Sequence, residues 1–415
     1  MNLFKNISLP ILLIISLISK AQNSDDVLYK YMDSTSAIFM NFNIESNSNA
    51  MTNELLNKYI DNYYISDIVK DNAKEKLSDI NRLGIDIEAS AIYYHRPEKW
   101  KQKEMGYYLG IKDRYQFDLK FTADLFKLFF YGNKQFENNN AKLSDSRLYY
   151  TRFQQFEFGI IKKIGNSVFN FGIGINKGQQ NQTLNIERSN LFTSEGGEYI
   201  NFDLKYKYRY TDSTRNSYGD INGIGAFTDL YFSHKFKNSV ISISAKDIGF
   251  IVWSESSYHI ENENQWHFDG INVNDIIHIA DNSFNSLSKD SVRKNILGIP
   301  EKGNYITMLP ATININYCYN FSGNKWSIET GLRQKFFIYY LPLIYLSPVY
   351  RLTNNFIIKG TVSYGGYGNL NAGIDLSKIF RNGFYLRAGS NYINGLILPG
   401  NNSGQGAYIS IGKAF

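Results

Sequence analysis

The sequence predicts an all-β fold, a transmembrane antiparallel β-barrel of about 14 strands (roughly 12–16) with short helical insertions. Three observations carry that expectation. The first is the stretch "YINFDLKYKYRY" at 199–210, in which Ile200, Phe202, Leu204, Tyr206, Tyr208 and Tyr210 alternate with Asn201, Asp203, Lys205, Lys207 and Arg209. Successive side chains of a strand point to opposite faces, so one face is wholly apolar and the other wholly polar. A bilayer takes about 9–11 residues to cross, whereas strands of globular proteins centre on about 5–6. The second is the count of 32 tyrosines and 29 phenylalanines, because amphipathic rings gather where a surface passes from lipid to water. The third is the end of the chain, "GQGAYISIGKAF", a strand that finishes on Phe415. Barrels whose last strand closes the sheet and is read by the outer-membrane assembly machinery end in this way, although Lys413 stands where they usually carry an apolar residue.

The elements follow in order. "MNLFKNISLPILLIISLISKAQ" has a positive start at Lys5, an apolar core broken only by Ser16, and small residues at Ser19 and Ala21. That is an export signal over residues 1–21, cleaved after Ala21. Residues 22–83 read as one strand, at 38–44, followed by a helical or loop insertion. From 84 to 415 the text becomes strands separated by Gly, Asn, Asp and Ser, the expected barrel. Its strands are expected at 85–94, 106–117, 152–163, 168–177, 183–191, 199–210, 225–236 and 240–248. Further strands are expected at 250–260, 306–319, 327–337, 345–353, 356–364, 368–376, 384–390 and 407–415. Two helical interruptions stand out, at 122–133 and at about 273–297. The first opens on Thr122 and stops at Gly132, a capped pattern, and its "LFKLFF" suggests a helix turned inward to fill the barrel. The greasiest later window, "KFFIYYLPLIYLSPVY", is too short for a membrane helix and contains Pro342.

In a membrane barrel the apolar face meets lipid and the polar face a wetted lumen. Lys205, Lys207 and Arg209 are then lumen-facing candidates, with Phe202, Leu204 and Tyr206 against lipid. A soluble exported β-sheet binding protein is the alternative, since a sheet over a soluble core also alternates. Without its first 21 residues the chain loses two lysines and no acids, so a net charge of +6 becomes +4, too mild for a nucleic-acid partner. Cys318 is the only cysteine, which excludes an intrachain disulfide and cysteine-rich metal motifs.

Catalytic and cofactor patterns are wanting. His259, Glu261 and Glu263 would share one face of a strand, near His267 and His278, yet no HExxH spacing supports a metal. A polar loop is the better reading. "SYGGYGNLNAG" fails the GxGxxG test at Asn371 and reads as a turn. Glu195 and Glu198 flank "EGGE", a solvated hairpin turn before a carboxylate pair. Cys318 reads as a small apolar filler. No catalytic residue, metal or cofactor is therefore expected.

The segments "MGYYLGIKDRYQFDLKFTADLFKLFFYGN", "LFTSEGGEYINFD", "AKDIGFIVW", "SYGGYGNLNAGIDL" and "GQGAYISIGKAF" resemble a family of outer-membrane β-barrel proteins of Bacteroidota, a domain of unknown function. The resemblance runs from about Ile85 to Phe415, and the family is loosely similar in architecture to fatty-acid-transporter barrels. It implies a fold and a cell outer membrane location and lends no catalytic residues. The expected function is a non-enzymatic barrel, either a channel for small or hydrophobic solutes or an accessory part of an envelope complex. A barrel-housed enzyme is the other alternative. Expected partners are outer-membrane lipids, the assembly machinery through the last strand, and a small hydrophobic solute or an envelope protein.

Overall fold

The computed structural model describes residues 34–269, 298–323 and 325–415. The export signal expected over 1–21, the segment expected to be helical near 273–297, and His278 lie outside the described residues. The first strands are β1 (Ser36–Ser48), β2 (Ile80–His95), β3 (Met105–Thr122), β4 (Asn139–Lys142), β5 (Ser146–Ile164), β6 (Ser167–Thr193) and β7 (Ile200–Tyr210). Next come β8 (Gly223–Lys235), β9 (Ser239–Trp253), β10 (Tyr258–Phe268), β11 (Glu301–Lys302), β12 (Tyr305–Met308) and β13 (Thr312–Asn320). The last are β14 (Trp326–Lys335), β15 (Leu341–Thr353), β16 (Phe356–Gly366), β17 (Leu370–Ile379), β18 (Phe384–Ser390) and β19 (Gly404–Ala414). Among the described residues five short α-helices interrupt them: α1 (Asn53–Ile60), α2 (Asp67–Lys74), α3 (Glu98–Lys101), α4 (Ala123–Tyr131) and α5 (Ile393–Ile397).

Fourteen strands close into one antiparallel barrel in the order β1-β2-β3-β5-β6-β8-β9-β13-β14-β15-β16-β17-β18-β19. The seam joins the two ends of the chain, from Ala37 opposite Ala414 to Asn47 opposite Gly404. Closure leaves no open edge in the ring. At the end that holds the termini, β5 turns into β6 and β15 into β16 within two residues, at 165–166 and 354–355. The long connections all leave the opposite, upper end.

Register fixes which side chains point in. Lys112, Gln155 and Asn176 sit opposite one another on β3, β5 and β6 and face the lumen, as do Glu157 on β5 and Asp229 on β8. Their odd neighbours on β3, Leu109 and Ile111, face out with Phe156, Phe158, Phe169, Phe171, Ile173 and Ile175. These outward residues are exposed, Phe171 by 52%, while Lys112 is 8% exposed. Burial is thus inverted relative to a water-soluble fold, whose charged residues stay outside.

Two expected segments turn out to be halves of one strand. The strands expected at 168–177 and 183–191 are the lower and upper parts of β6, 27 residues long. Its lower part pairs with β8 as far as Gly178, and its upper part, Gln182 to Thr193, pairs with β7 instead. The change of partner falls at a register break opposite Arg152 and Phe153. β7 in turn pairs with β10. The stretch at 199–210 is therefore not one of the ring strands; it belongs to an extension that rises above the upper rim.

The helix expected at 122–133 forms as α4. The Thr122 hydroxyl accepts the Leu125 N–H, and the chain leaves at Gly132 with φ 79°, the positive φ that glycine tolerates. It does not turn inward. Phe126 packs with α1, α2 and the outward residues Leu83, Phe117, Phe121 and Tyr150. The reason is polarity: at that height the inward positions of β3 are Asp118 and Lys120, and only the outer wall offers apolar partners.

Candidate functional site

The lumen is crossed by a bar of side chains. β2 presents Asp86 inward and β14 presents Lys335, and the two strands lie on opposite sides of the ring. The Lys335 ammonium nevertheless reaches the Asp86 carboxylate. Above this ion pair the hairpin turns β14–β15 and β16–β17 fold in. The rings of Tyr340 and Tyr367 meet edge to face, centroids 4.9 Å apart at 85°, and the Lys335 ammonium lies 5.4 and 5.7 Å from their centres. Arg82 on β2 holds the second hairpin by donating to the carbonyls of Gly366 and Gly368, each at 2.8 Å. Tyr367 lies flat on Gly84, where any Cβ would overlap the ring.

Below the bar the charges pair across the wall. Lys112 stands 3.0 Å from Glu157 and 3.3 Å from Asp229, and the Tyr108 hydroxyl donates to Glu157 at 2.6 Å. Arg114 pairs with Asp247 and lies 3.4 Å from Glu88. Asp247 has φ 58° beside a register break between β8 and β9, a bulge that re-aims its carboxylate. Its N–H donates to Asp229 at 2.7 Å. Arg387 on β18 holds Asp375 on β17 at 2.6 Å. Lower still, Phe39, Ile92, Tyr94, Tyr108, Ile161 and Tyr385 form an apolar cluster inside the ring near the termini. Ion pairs this buried cost desolvation that good geometry only offsets, but removing one partner strands the other.

Above the bar lies a vestibule of about 480 Å³ lined by Asp118, Lys120, Tyr149, Lys207, Arg209 and Tyr339, among others. By register, Arg209 and Lys207 continue the inward face of β5, through Thr183 to Tyr149 and through Asn185 to Arg147. Lys207 lies 3.4 Å from Glu261 and 3.7 Å from Glu187. Arg209 rests 5.9 Å from the centre of the Tyr305 ring. Lys205 does not line the vestibule; it meets Glu263 at 2.8 Å, as Arg188 does at 3.0 Å. Those hydrogen bonds, Lys205 first, hold Glu263 below the usual carboxylate range.

The His/Glu face of β10 is spent on the same cross-strand pairing. His259 lies 3.4 Å from Glu301, while His267 meets Asp269 and Asn201. Cys318 is half-buried on β13. Among the described residues, no cluster of three or more His, Cys, Asp or Glu is arranged to hold a metal ion.

The bar itself was not singled out from the sequence. For the charges below and above it a signal is present in "LGIKDRYQFDLKF", whose alternation marks Lys112, Arg114, Asp118 and Lys120 as one face. Which distant strand supplies each counter-charge is not written locally.

The chain belongs to the DUF5723 family of unknown function, whose model matches residues 36–388. None of the curated proteins compared with it matches. Among solved structures it is similar to the deltaS2S3 mutant of the TodX monoaromatic hydrocarbon channel, at 8% identity and TM-score 0.46 over 92% of this chain and 91% of that one. It is also similar to the Ralstonia pickettii toluene transporter TbuX, at 8% identity and TM-score 0.43 over 92% and 90%. The Pseudomonas putida toluene transporter TodX overlaps at 8% identity and TM-score 0.42 over 95% and 93%. These overlaps are loose, and the ring of strands stands on its own register.

Proposed function

We propose that this is a non-enzymatic outer-membrane β-barrel that passes small solutes through a lumen closed at rest by the Asp86, Lys335, Tyr340 and Tyr367 bar. The inverted burial carries the membrane reading: an outward belt of exposed aliphatic and aromatic residues surrounds inward charges, the arrangement a bilayer stabilises. The expected export signal fits that destination. The upper end, with its long loops, then faces outside, and the vestibule is the entrance whose floor is the bar. Asp86, Glu157, Asp229, Asp247 and Asp375 are each held by a cation, which suits a packed gate better than a reaction centre. A 14-strand ring is wide enough that its interior must be filled by side chains or loops to be shut.

The test is conductance in planar bilayers. Wild-type barrels should conduct weakly, and Tyr340→Ala combined with Tyr367→Ala should raise single-channel conductance several-fold. A membrane-inserted double variant that stays silent would make the crossed lumen a permanent seal and favour an accessory role in an envelope complex. Recovery of the protein in the soluble fraction would remove the membrane reading altogether.

A further inference from the structure

A second space, mostly apolar, lies outside the ring. Where α1 rides over β1, β2 and β19, it leaves a crevice of about 560 Å³. Ile44, Ile85 and Ile87 form the wall side, and Leu56 and Ile60 the helix side. The crevice is half open, and one strap closes it: Asn57 of α1 and Gln405 of β19 exchange amide hydrogen bonds of 3.1 and 2.7 Å. Its size falls in the range of ligand pockets, about 300–1,000 Å³. Its lining is mostly apolar, with the polar side chains of Ser46, Asn57, Asp61, Gln116 and Gln405 among the aliphatic ones, and a mostly apolar space of this size suits an apolar guest.

What lies below the crevice names the guest. On β1 the outward series descends from Ile44 through Phe42 and Met40 to Ile38, and on β19 from Ala407 through Ile409 to Ile411, with no charged residue between. Met40, Ile38 and Ile411 are exposed. Two strands away the outer wall is interrupted instead: Gln154 donates to Asp113 at 2.8 Å and Arg152 approaches it at 3.7 Å. The outward series of β19 from Ile411, of β1 and of β2 therefore run into the crevice without a charged residue, whereas that of β3 is interrupted at Asp113.

We infer that the crevice between α1 and the outer wall holds one acyl chain of a lipid of the surrounding bilayer, entering along β1 and retained by the Asn57–Gln405 strap. The inference rests on the membrane reading above. The chain needs no partner in the lumen, so this site is separate from the gated path.

The experiment reconstitutes the full chain into phosphatidylethanolamine vesicles, confirms insertion by flotation, and extracts it gently for native mass spectrometry. One retained phospholipid per barrel is expected. Ala407→Trp, which fills the crevice from the wall, should lower retention roughly tenfold by excluding methylenes of the chain. Asn57→Ala, which removes the strap without touching the ring, should shorten retention while leaving flotation and heat-modifiable mobility unchanged. A parallel arm offers palmitate without phospholipid. Retention of palmitate but not of phospholipid overturns the assignment, as does an inserted wild-type barrel that retains nothing, and either leaves the channel reading standing. Failure to float removes the premise of both. Equal retention by wild type and both variants also overturns it, because the lipid is then held elsewhere.

Discussion

β3 in the ring and β7 in the extension carry the same kind of text, yet their faces meet opposite surroundings. In β3 the polar series is buried, with Lys112 8% exposed, while Leu109 and Ile111 stand open. In β7 the apolar series is buried, with Leu204 and Tyr206 packed beside Ile260, Ile186 and Phe202, while Lys205 and Lys207 sit in exposed ion pairs. Alternation thus separates two faces without saying which is the inside. The neighbours decide: β3 has ring strands on both sides, whereas β7 sits between the upper half of β6 and β10.

The largest effect should come from the charges. Lys112→Met leaves Glu157 and Asp229 facing each other unpaired and should cost about 3–5 kcal/mol, read as a lower urea midpoint for the reconstituted barrel. Lys205→Met, on the exposed face of β7, should leave that midpoint unmoved. Equal losses for the two would erase the contrast between the strands.

The apolar series should respond next. Ile111→Arg puts a charge on the outward belt and should cost about 2–4 kcal/mol near the bilayer midplane, seen as lost outer-membrane abundance. Leu204→Arg should leave the ring assembled with normal heat-modifiable mobility, while the β6–β7–β10 sheet opens to protease. Loss of the whole barrel in Leu204→Arg would place β7 in contact with lipid.

The smallest effect sharpens the extension alone. Glu263 is held below its ordinary value of 4.5 by Lys205 and Arg188. A depressed carboxylate contributes its stabilisation fully above its unfolded value and loses it as pH falls through the folded one. The extension should therefore be unchanged between pH 7 and pH 5 and loosen only below about pH 4. A fluorotryptophan signal from Trp266, which stacks on Phe202 at 5.6 Å, should broaden there and not in Glu263→Gln. Broadening that begins near pH 6 would point to a histidine instead.

Much of the ring was legible. The number of Tyr and Phe, the turns rich in Gly and Asn, and the strand at the end of the chain placed the barrel and its approximate strand number. The cap at Thr122 placed α4. The side of the wall on which α4 lies was not legible, since "LFKLFF" is equally at home in a lumen or on an outer face. Nor was the fusion of 168–177 with 183–191 across Gln179, because the break between them is a change of strand partner rather than a turn. The strand expected at 240–248 likewise runs on past Asp247 to Trp253 as β9, because the positive φ at Asp247 bends the strand without ending it.

The sequence alone determined the class of fold, because alternation along a strand is a property of neighbouring residues and needs no distant partner to be read. It also determined which residues share a face, among them Lys112 with Arg114 and Leu204 with Tyr206. Only the tertiary structure decided which face is enclosed, that Lys335 reaches Asp86 across the ring, and that α1 leaves a crevice against β1. Each of these depends on strands brought together from far apart in the chain, and ring closure at the β1–β19 seam is what sets their distances.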